Sequence, residues 1–139
     1  MKVKFSVPIK PVAKQRPRLA KNGHVYTPKD TKVFENLIAY YYGHRYCFDK
    51  EYIKVKVVFR FEIPKSYSKK KRKEALEGAI RPTRSDLDNY IKSLLDGLNT
   101  RAWKDDRYIV KIEAEKKYSL ENGIDVIIES IDERENEYE

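Results

Sequence analysis

Apolar and polar residues alternate in several stretches of this chain, and such alternation predicts β-strands with one buried face. In KVKFSVPI, near the N-terminus, Val3, Phe5 and Val7 share one face. The longest run is EYIKVKVVFRFEIP, in which six apolar residues alternate until a proline ends the pattern. The stretches RYIVKIEAEKKYS and GIDVIIESI predict two further strands, joined through Asn122-Gly123.

Two stretches carry signals for helices. In TPKD, Thr27 suits the N-cap, Pro28 the first helical position and Asp30 the place of a capping acid. Apolar residues then recur at helical spacing until Gly43, near which the helix should end. The stretch SKKKRKEALEGAI predicts a second helix that is short and strongly basic.

A third helix is predicted over residues 85–99, within RPTRSDLDNYIKSLLDGLN. Asp88, Lys92 and Asp96 lie one turn apart on one of its faces. Asp86 precedes Asp88 by two residues, and residues two apart in an extended segment point the same way. Their carboxylates can therefore converge if the helix begins near Asp88. The predicted buried face consists of Leu87, Ile91, Leu94, Leu95 and Leu98.

The order of these elements predicts an α+β (mixed α/β) fold with one mixed sheet and helices packed on it. A chain of 139 residues has the usual length of a single compact domain. The loop between the first strand and the first helix is expected to turn at Asn22-Gly23 and to include a hairpin that ends at HVYT. The domain is expected to occupy residues 1–131, and the acidic stretch 132–139 to be a disordered tail.

The chain carries a net charge of +8, although its last eight residues hold five acids. A basic body attracts polyanions, of which nucleic acid is the commonest inside a cell; a lysine surplus that aids solubility is the alternative.

One cysteine excludes a disulfide framework and a cysteine-rich zinc site. No apolar run approaches the roughly 18 residues of a membrane span, and no signal-peptide pattern begins the chain. A cytoplasmic, nucleoid-associated protein without a membrane partner is therefore expected.

Helix and turn chemistry offers one explanation for the acids. Ser85 and Asp88 fit a capping box with Asp in place of Glu. Asp88 and Lys92 have the spacing of an ion pair across one helical turn. Asp105-Asp106, just before a predicted strand, suit a turn. Each acid taken alone is explained in this way.

A hard cation offers the other explanation, which takes the acids together. Magnesium and manganese prefer carboxylate oxygens and waters as ligands. On a surface that binds phosphates, unpaired acids would repel the ligand unless a cation bridges the two. Asp86, Asp88 and Asp106, with Lys92 one turn along the helix, predict a metal-dependent phosphodiesterase site. A cation there would activate water and polarise the phosphate, and the lysine would offset the developing charge.

The runs RSDLDNYIKSLLDGLN and WKDDRYIV resemble the signature of the RusA family of Holliday-junction resolvases, in which D-L-D-N-x-x-K-x-x-x-D-x-L is followed by W-x-D-D. The stretch PVAKQRPR resembles that family's proline- and arginine-containing loop after the first strand. The two motifs cover about a third of the chain. Their order and spacing, and the length of the chain, also fit the family.

The resemblance implies a small homodimer that resolves four-way DNA junctions in recombination and repair, using one or two Mg²⁺ ions per site, or Mn²⁺, and no organic cofactor. A twofold dimer also suits the substrate, because a junction offers two symmetric strands. Carried over position by position, the resemblance implies three metal-binding acids, Asp86, Asp88 and Asp106, and one active-site lysine, Lys92. It also matches three supporting positions, Asn89, Asp96 and Asp105.

Basic residues in two segments are candidate phosphate contacts. One segment is the loop after the first strand, which contains no acid. The other is the predicted basic helix, whose positive residues spread around much of its circumference. A solvated loop and a solvated helix end are the alternatives. The candidate DNA-binding residues are Lys14, Arg16, Arg18, Lys69, Lys71 and Arg72.

Other functions stay open at the level of sequence. The first is a non-catalytic DNA-binding or architectural protein, in which the acids only cap helices and form turns. The second is a nuclease that acts on other branched DNA, such as flaps or replication forks. A sugar-nucleotide transferase with a D-x-D motif fits less well, because the chain is short and has no glycine-rich phosphate loop.

Overall fold

The computed structural model describes residues 1–16, 18–26 and 28–131, apart from the side chains of Arg18 and Tyr26. Thr27 and the acidic stretch 132–139, for which an N-cap and a disordered tail were predicted, lie outside the described residues. In chain order the elements are β1 (Lys2–Val7), β2 (Arg18–Leu19), β3 (Val25–Tyr26), α1 (Lys29–Tyr42), β4 (Ile53–Glu62), α2 (Lys69–Leu76), α3 (Leu87–Leu98), β5 (Ile109–Ser119) and β6 (Gly123–Ser130).

Four of the strands form one mixed sheet in the order β1-β6-β4-β5, which confirms the predicted fold class. β4 is central and pairs parallel with β5 and antiparallel with β6. β5 and β6 are therefore neighbours in the chain but not in the sheet, since β4 lies between them. The predicted hairpin is present as β2 and β3, and Gly23 lies at its turn with φ +85°.

The hydrophobic core lies between one face of the sheet and helices α1 and α3. The alternation in β4 buries every second side chain, as the sequence predicts. Along β5, by contrast, residues 110–113 are exposed on both faces of this edge strand. The largest fully buried side chains include Trp103, Tyr42, Phe48, Phe59, Ile38, Leu94 and Leu98.

Two helices begin later than the sequence predicts. α1 begins at Lys29, because Pro28 is the N-cap and its ψ of 142° is extended rather than helical. Asp30 lies in the first turn, as expected. α3 begins at Leu87, with Asp86 rather than Ser85 at the N-cap. The predicted capping box is therefore wrong, since Ser85 lies outside the helix with φ 61°.

The buried face of α3 differs in part from its prediction. Leu94 and Leu98 are buried, whereas Leu87, Ile91 and Leu95 are half-buried at its margins. Hydrophobic spacing missed the other members of the face because two of them are not large apolar residues. These additional buried residues are Tyr90, Ser93 and Gly97.

Gly97 sets how closely α3 approaches α1. A Cβ added there would lie 2.8 Å from the Ile38 Cβ and 3.0 Å from the Glu35 carbonyl oxygen, and the backbone cannot rotate away as a side chain can. We expect Gly97→Ala to lower the free energy of unfolding by about 1–2 kcal/mol, because the overpacking exceeds the gain in helix propensity of about 1 kcal/mol.

Denaturant unfolding followed by the fluorescence of the single, buried Trp103 measures this change. Asn36→Ala is the control, because it adds an alanine on the exposed face of α1 without meeting α3. Equal stability of the Gly97→Ala variant and the wild type would contradict the close approach of the two helices.

Candidate active site at the start of helix α3

Asp86 at the N-cap and Asp88 in the first turn of α3 form no ion pair with a described residue. Asp86 is the N-cap, a position at which an aspartate ordinarily accepts a hydrogen bond from a free helical N–H. Its side chain makes no such bond. Among the described residues, Asp96 is the acid of α3 that forms an ion pair, and Asp88 makes none with Lys92. Neither capping nor ion pairing therefore accounts for Asp86 and Asp88.

Lys92 lies one turn beyond Asp88 on α3 and is exposed. Residues four apart on a helix are about 6 Å apart at Cβ, so the ammonium group can reach the region in front of the two carboxylates. Asp86, Asp88 and Lys92 are all exposed in the N-terminal half of α3 and at its N-cap, and this surface is called the patch below. Asp88 lies in the first turn of α3, where a negative charge interacts favourably with the partly positive N-terminus of the helix.

An open groove of about 1040 Å³ runs beside this patch. It lies between the N-terminal loop at residues 9–15, helix α1, the end of β4 and the segment 82–86, and Asn89 also lines it. Basic side chains on its wall include Lys10, Lys65 and Arg84, and the acids Asp30, Glu62 and Asp86 also line it. A groove with cations on its wall and unpaired carboxylates at its edge suits a phosphate chain held together with a divalent ion.

Lys14, a predicted DNA contact, is engaged within the protein. Its ammonium lies 2.6 Å from Glu35 Oε1 and 3.0 Å from Asp96 Oδ2, and its backbone N–H donates to the Asn89 carbonyl at 2.8 Å. Desolvation lowers the pKa of Lys14, but hydrogen bonds to the two carboxylates more than offset this, so its pKa lies above the usual value. Lys14 and Asp96 therefore tie the N-terminal loop to α1 and α3.

Asp105 and Asp106 have different roles although they are adjacent. Asp105 caps a short 3-10 helix, Asp106–Tyr108, by accepting a hydrogen bond from the Arg107 N–H at 3.0 Å. This is the turn chemistry that the sequence also allowed. The carboxylate of Asp106 is exposed and makes no ion pair with any described residue. Asp106 thus shares with Asp86 and Asp88 the lack of a structural partner.

Asp106 lies far from Asp86 within one protomer. The 12 residues of α3 form a helix about 18 Å long. Trp103 bridges to Asn99, just past the C-terminal end of α3, whereas Ser85 at the opposite end contacts Lys116. Asp106 is therefore on the order of 20 Å from Asp86. Accordingly, the described part of the chain contains no group of three or more acids, histidines or cysteines able to hold a metal ion.

The residues present fit a divalent ion in part. Two exposed carboxylates that accept no side-chain hydrogen bond from a described residue match the hard oxygen donors that Mg²⁺ prefers, with waters filling the other positions. A third carboxylate from Asp106 does not reach them in a single protomer. The predicted three-acid set therefore divides into a pair, Asp86 and Asp88, and a separate Asp106.

The other predicted DNA contacts lie on two exposed elements. Arg16 is exposed on the N-terminal loop, and Arg18 belongs to β2, but its side chain is outside the described residues. Helix α2 begins at the N-cap Ser68 and packs on β5 through the buried Ala75. On this helix, Lys69 and Lys71 are exposed and Arg72 is half-buried. The Nζ of Lys71 lies over the Tyr67 ring, 4.1 Å from its centroid.

Two basic residues near the acids were not predicted. Arg84 lines the groove, and its position directly before the D-L-D motif was a usable signal. Lys116 lies on β5 and donates from Nζ to the Ser85 carbonyl at 3.0 Å. Nothing in the local sequence indicates that contact, because the two residues are 31 positions apart.

Among the described residues, no helix is long and apolar enough to cross a membrane.

The sequence of this chain is similar to those of known proteins. Residues 8–129 match the protein family described as Endodeoxyribonuclease RusA. The chain is also similar to a protein of Bacillus subtilis (strain 168) named Uncharacterized protein YqaN. The two are 36% identical over 137 residues, which cover 93% of this chain and 96% of that protein. The family match includes the segments that carry the acids and Lys92.

Proposed function

This chain belongs to the RusA endodeoxyribonuclease family, and we propose that it is a metal-dependent endonuclease that resolves four-way DNA junctions by paired cuts. The family comprises nucleases of Holliday junctions that act on branched DNA. The observation that supports the proposal is the patch of Asp86, Asp88 and Lys92, whose two carboxylates form no ion pair with a described residue. The patch lies beside a groove that Lys10, Lys65 and Arg84 line. In an architectural protein those acids would only repel DNA.

Each residue of the patch has a role in phosphodiester hydrolysis. Asp86 and Asp88 would hold Mg²⁺ or Mn²⁺, which supplies Lewis-acid stabilisation and a nucleophile at neutral pH. The Lys92 ammonium would contact a non-bridging phosphate oxygen and offset the charge that develops in the transition state. Arg84 and Lys65, on the wall of the groove, would hold the neighbouring phosphates. Positioning and charge stabilisation by these groups account for the chemistry without a covalent step on the protein.

A second copy of the chain would supply Asp106. β5 is an edge strand, and its exposed N-terminal half carries Val110 and Ile112 at 54% and 41% exposure. Apolar side chains on an open strand edge favour association with another chain. We therefore propose that two protomers pack across the N-terminal halves of their β5 strands. This homodimer deepens the functional proposal, because the metal site within one protomer lacks its third acid.

The direction of β5 makes such a dimer suitable. A twofold axis reverses the direction of the partner strand, so the start of one β5 comes to lie beside the end of the other. With the axis near Lys111, position 106 of one protomer would lie opposite position 116 of its partner. Lys116 contacts Ser85, the residue before Asp86. Pairing of the two β5 strands would thus bring Asp106 of one protomer toward Asp86 and Asp88 of the other.

Cleavage of synthetic branched DNA tests the proposed function. We expect the protein to cut a four-way junction in paired positions with Mg²⁺ or Mn²⁺, at least about 10-fold faster than a linear duplex of the same arms, and not at all with EDTA. Flap and fork substrates with the same sequences serve as comparisons. Binding without cutting in either metal would support the architectural alternative, and equal cutting of flaps and junctions would contradict junction selectivity.

A further inference from the structure

The residue before Asp86 has an unusual backbone conformation. Ser85 has φ 61°, in the left-handed region that few residues other than glycine adopt. Such a residue costs on the order of 1 kcal/mol and persists only where the surrounding structure holds it. Ser85 immediately precedes the N-cap of α3, so its conformation sets the path by which the chain enters the helix. The position of the Asp86 carboxylate depends on whatever holds this segment.

Three hydrogen-bonding groups hold the segment from two sides. The Lys116 Nζ donates to the Ser85 carbonyl at 3.0 Å, and the buried Tyr90 hydroxyl donates to the Arg84 carbonyl at 2.9 Å. Arg81 Nη1 donates to the Lys116 carbonyl at 3.0 Å and pairs with Glu115 Oε2 at 2.8 Å. The two carbonyls that precede Asp86 are therefore fixed by β5 on one side and by α3 on the other.

Asp86 needs this external support because its side chain has none of its own. An N-cap aspartate that accepts a hydrogen bond from the helix is anchored by that bond. Asp86 lacks it, so its carboxylate is free for a ligand but is located only through its backbone. A metal site loses affinity when its ligands are not oriented, and groups behind the ligands typically contribute 10–100-fold.

We propose that Lys116 is a positioning residue that fixes the Ser85 carbonyl and thereby holds Asp86 where a divalent ion binds. This inference rests on the proposed function, because it assigns a support to the same site. The ammonium of Lys116 is used on a carbonyl of the protein rather than on a DNA phosphate. Lys116 therefore acts on metal affinity and turnover and not on the affinity for DNA.

Lys117 provides a matched control for Lys116. It carries the same charge at the next position of β5, and adjacent strand residues point to opposite faces of the sheet. Lys117 is exposed and makes no ion pair or side-chain hydrogen bond with a described residue. A loss of general electrostatic attraction to DNA would affect both lysines alike, whereas a loss of positioning would affect Lys116 alone.

The experiment compares Lys116→Met with Lys117→Met by three measurements. For Lys116→Met we expect Mn²⁺ binding, measured by calorimetry on the free protein, to weaken about 10-fold. We expect kcat for junction cleavage at a fixed Mg²⁺ level to fall about 10–100-fold while KM for the junction stays within about twofold. Hydrogen exchange of the backbone amides in the segment 84–88 should become faster. Lys117→Met should match the wild type in Mn²⁺ affinity, kcat and exchange.

Lys116→Arg keeps the charge and is the second variant if the methionine variant does not fold. Its broader guanidinium should retain part of the contact to the carbonyl and give intermediate Mn²⁺ affinity. Equal effects of the two lysine-to-methionine changes, or a change confined to KM, would overturn the proposal. Unchanged Mn²⁺ affinity and exchange in Lys116→Met would also overturn it. If the wild type binds Mn²⁺ but never cuts DNA, the proposed function fails, while the calorimetry and exchange data still decide the role of Lys116.

Discussion

Replacing Asp88 by asparagine is expected to lower junction cleavage by about 10³-fold or more while junction binding stays equal or becomes tighter. The amide keeps the size of the side chain but removes the negative charge that a hard cation requires. DNA affinity does not fall, because Asp88 lies exposed at the surface that would approach phosphates and makes no ion pair with a described residue. The fold should also persist, since Asp88 anchors nothing.

Single-turnover cleavage of a labelled junction and a gel-shift titration without Mg²⁺ measure the two quantities separately. Asp49→Asn is the matched control, because Asp49 is an exposed aspartate outside the groove and the patch. It should cut at the wild-type rate. Near-normal cutting by Asp88→Asn would remove the proposed metal pair. A parallel loss of binding and cutting would instead indicate that Asp88 supports the structure.

Mixing two inactive variants, Asp88→Asn and Asp106→Asn, is expected to restore cutting. If each site combines Asp86 and Asp88 of one protomer with Asp106 of its partner, a heterodimer has one wild-type site and one site with both changes. Random exchange of subunits would then recover about a quarter of the wild-type sites. Each heterodimer has one working site, so the product should be single nicks rather than paired cuts.

Co-refolding the two variants and analysing junction products on denaturing gels measures the recovery. Each variant refolded alone is the control, and both should stay inactive. A mixture as inactive as its parents would show that the three acids do not combine across two protomers. Full activity of Asp106→Asn by itself would remove Asp106 from the site. The experiment therefore tests the homodimer and the third acid together.

The engagement of Lys14 bears on how the protein would bind DNA. Because Lys14 is held between Glu35 and Asp96, its charge is neutralised within the domain. The exposed lysines of α2 have fewer such partners, the ion pair of Lys73 with Glu77 at 3.9 Å being a loose one. The basic groove wall and α2 are therefore better placed than Lys14 to neutralise phosphates. The role of α2 in DNA binding stays a prediction.

Elements with long, regular patterns could be predicted from the sequence. The alternation in β4 buries its odd-numbered side chains as expected, because a strand with one face on a core leaves little choice of register. Helix starts were less certain. Pro28 is predicted at the first helical position, but its extended ψ makes it the N-cap. Ser85 looked like a cap, yet its left-handed backbone puts it outside α3.

In the candidate site, too, residues that are close in the sequence are easier to place than residues that are distant in it. Asp86, Asp88 and Lys92 are close in sequence, so the geometry of a helix start is enough to place them together. Asp106 and Lys116 are distant in sequence, and their positions depend on how β5 runs past α3. The same holds for Lys14, whose partners Glu35 and Asp96 come from two helices that converge only after packing.

The amino-acid sequence by itself determined the α+β class and most strands and helices, and it predicted a site of acids and a lysine near the start of α3. These features depend on the period of side chains along one element, which is a local property of the chain. The tertiary structure alone decided that Asp106 follows the C-terminal end of α3 while Asp86 lies at the other end. It also decided that Lys14 is neutralised and that Lys116 donates to the Ser85 carbonyl. Such contacts follow from the packing of elements far apart in the chain, where small residues such as Gly97 set the distance.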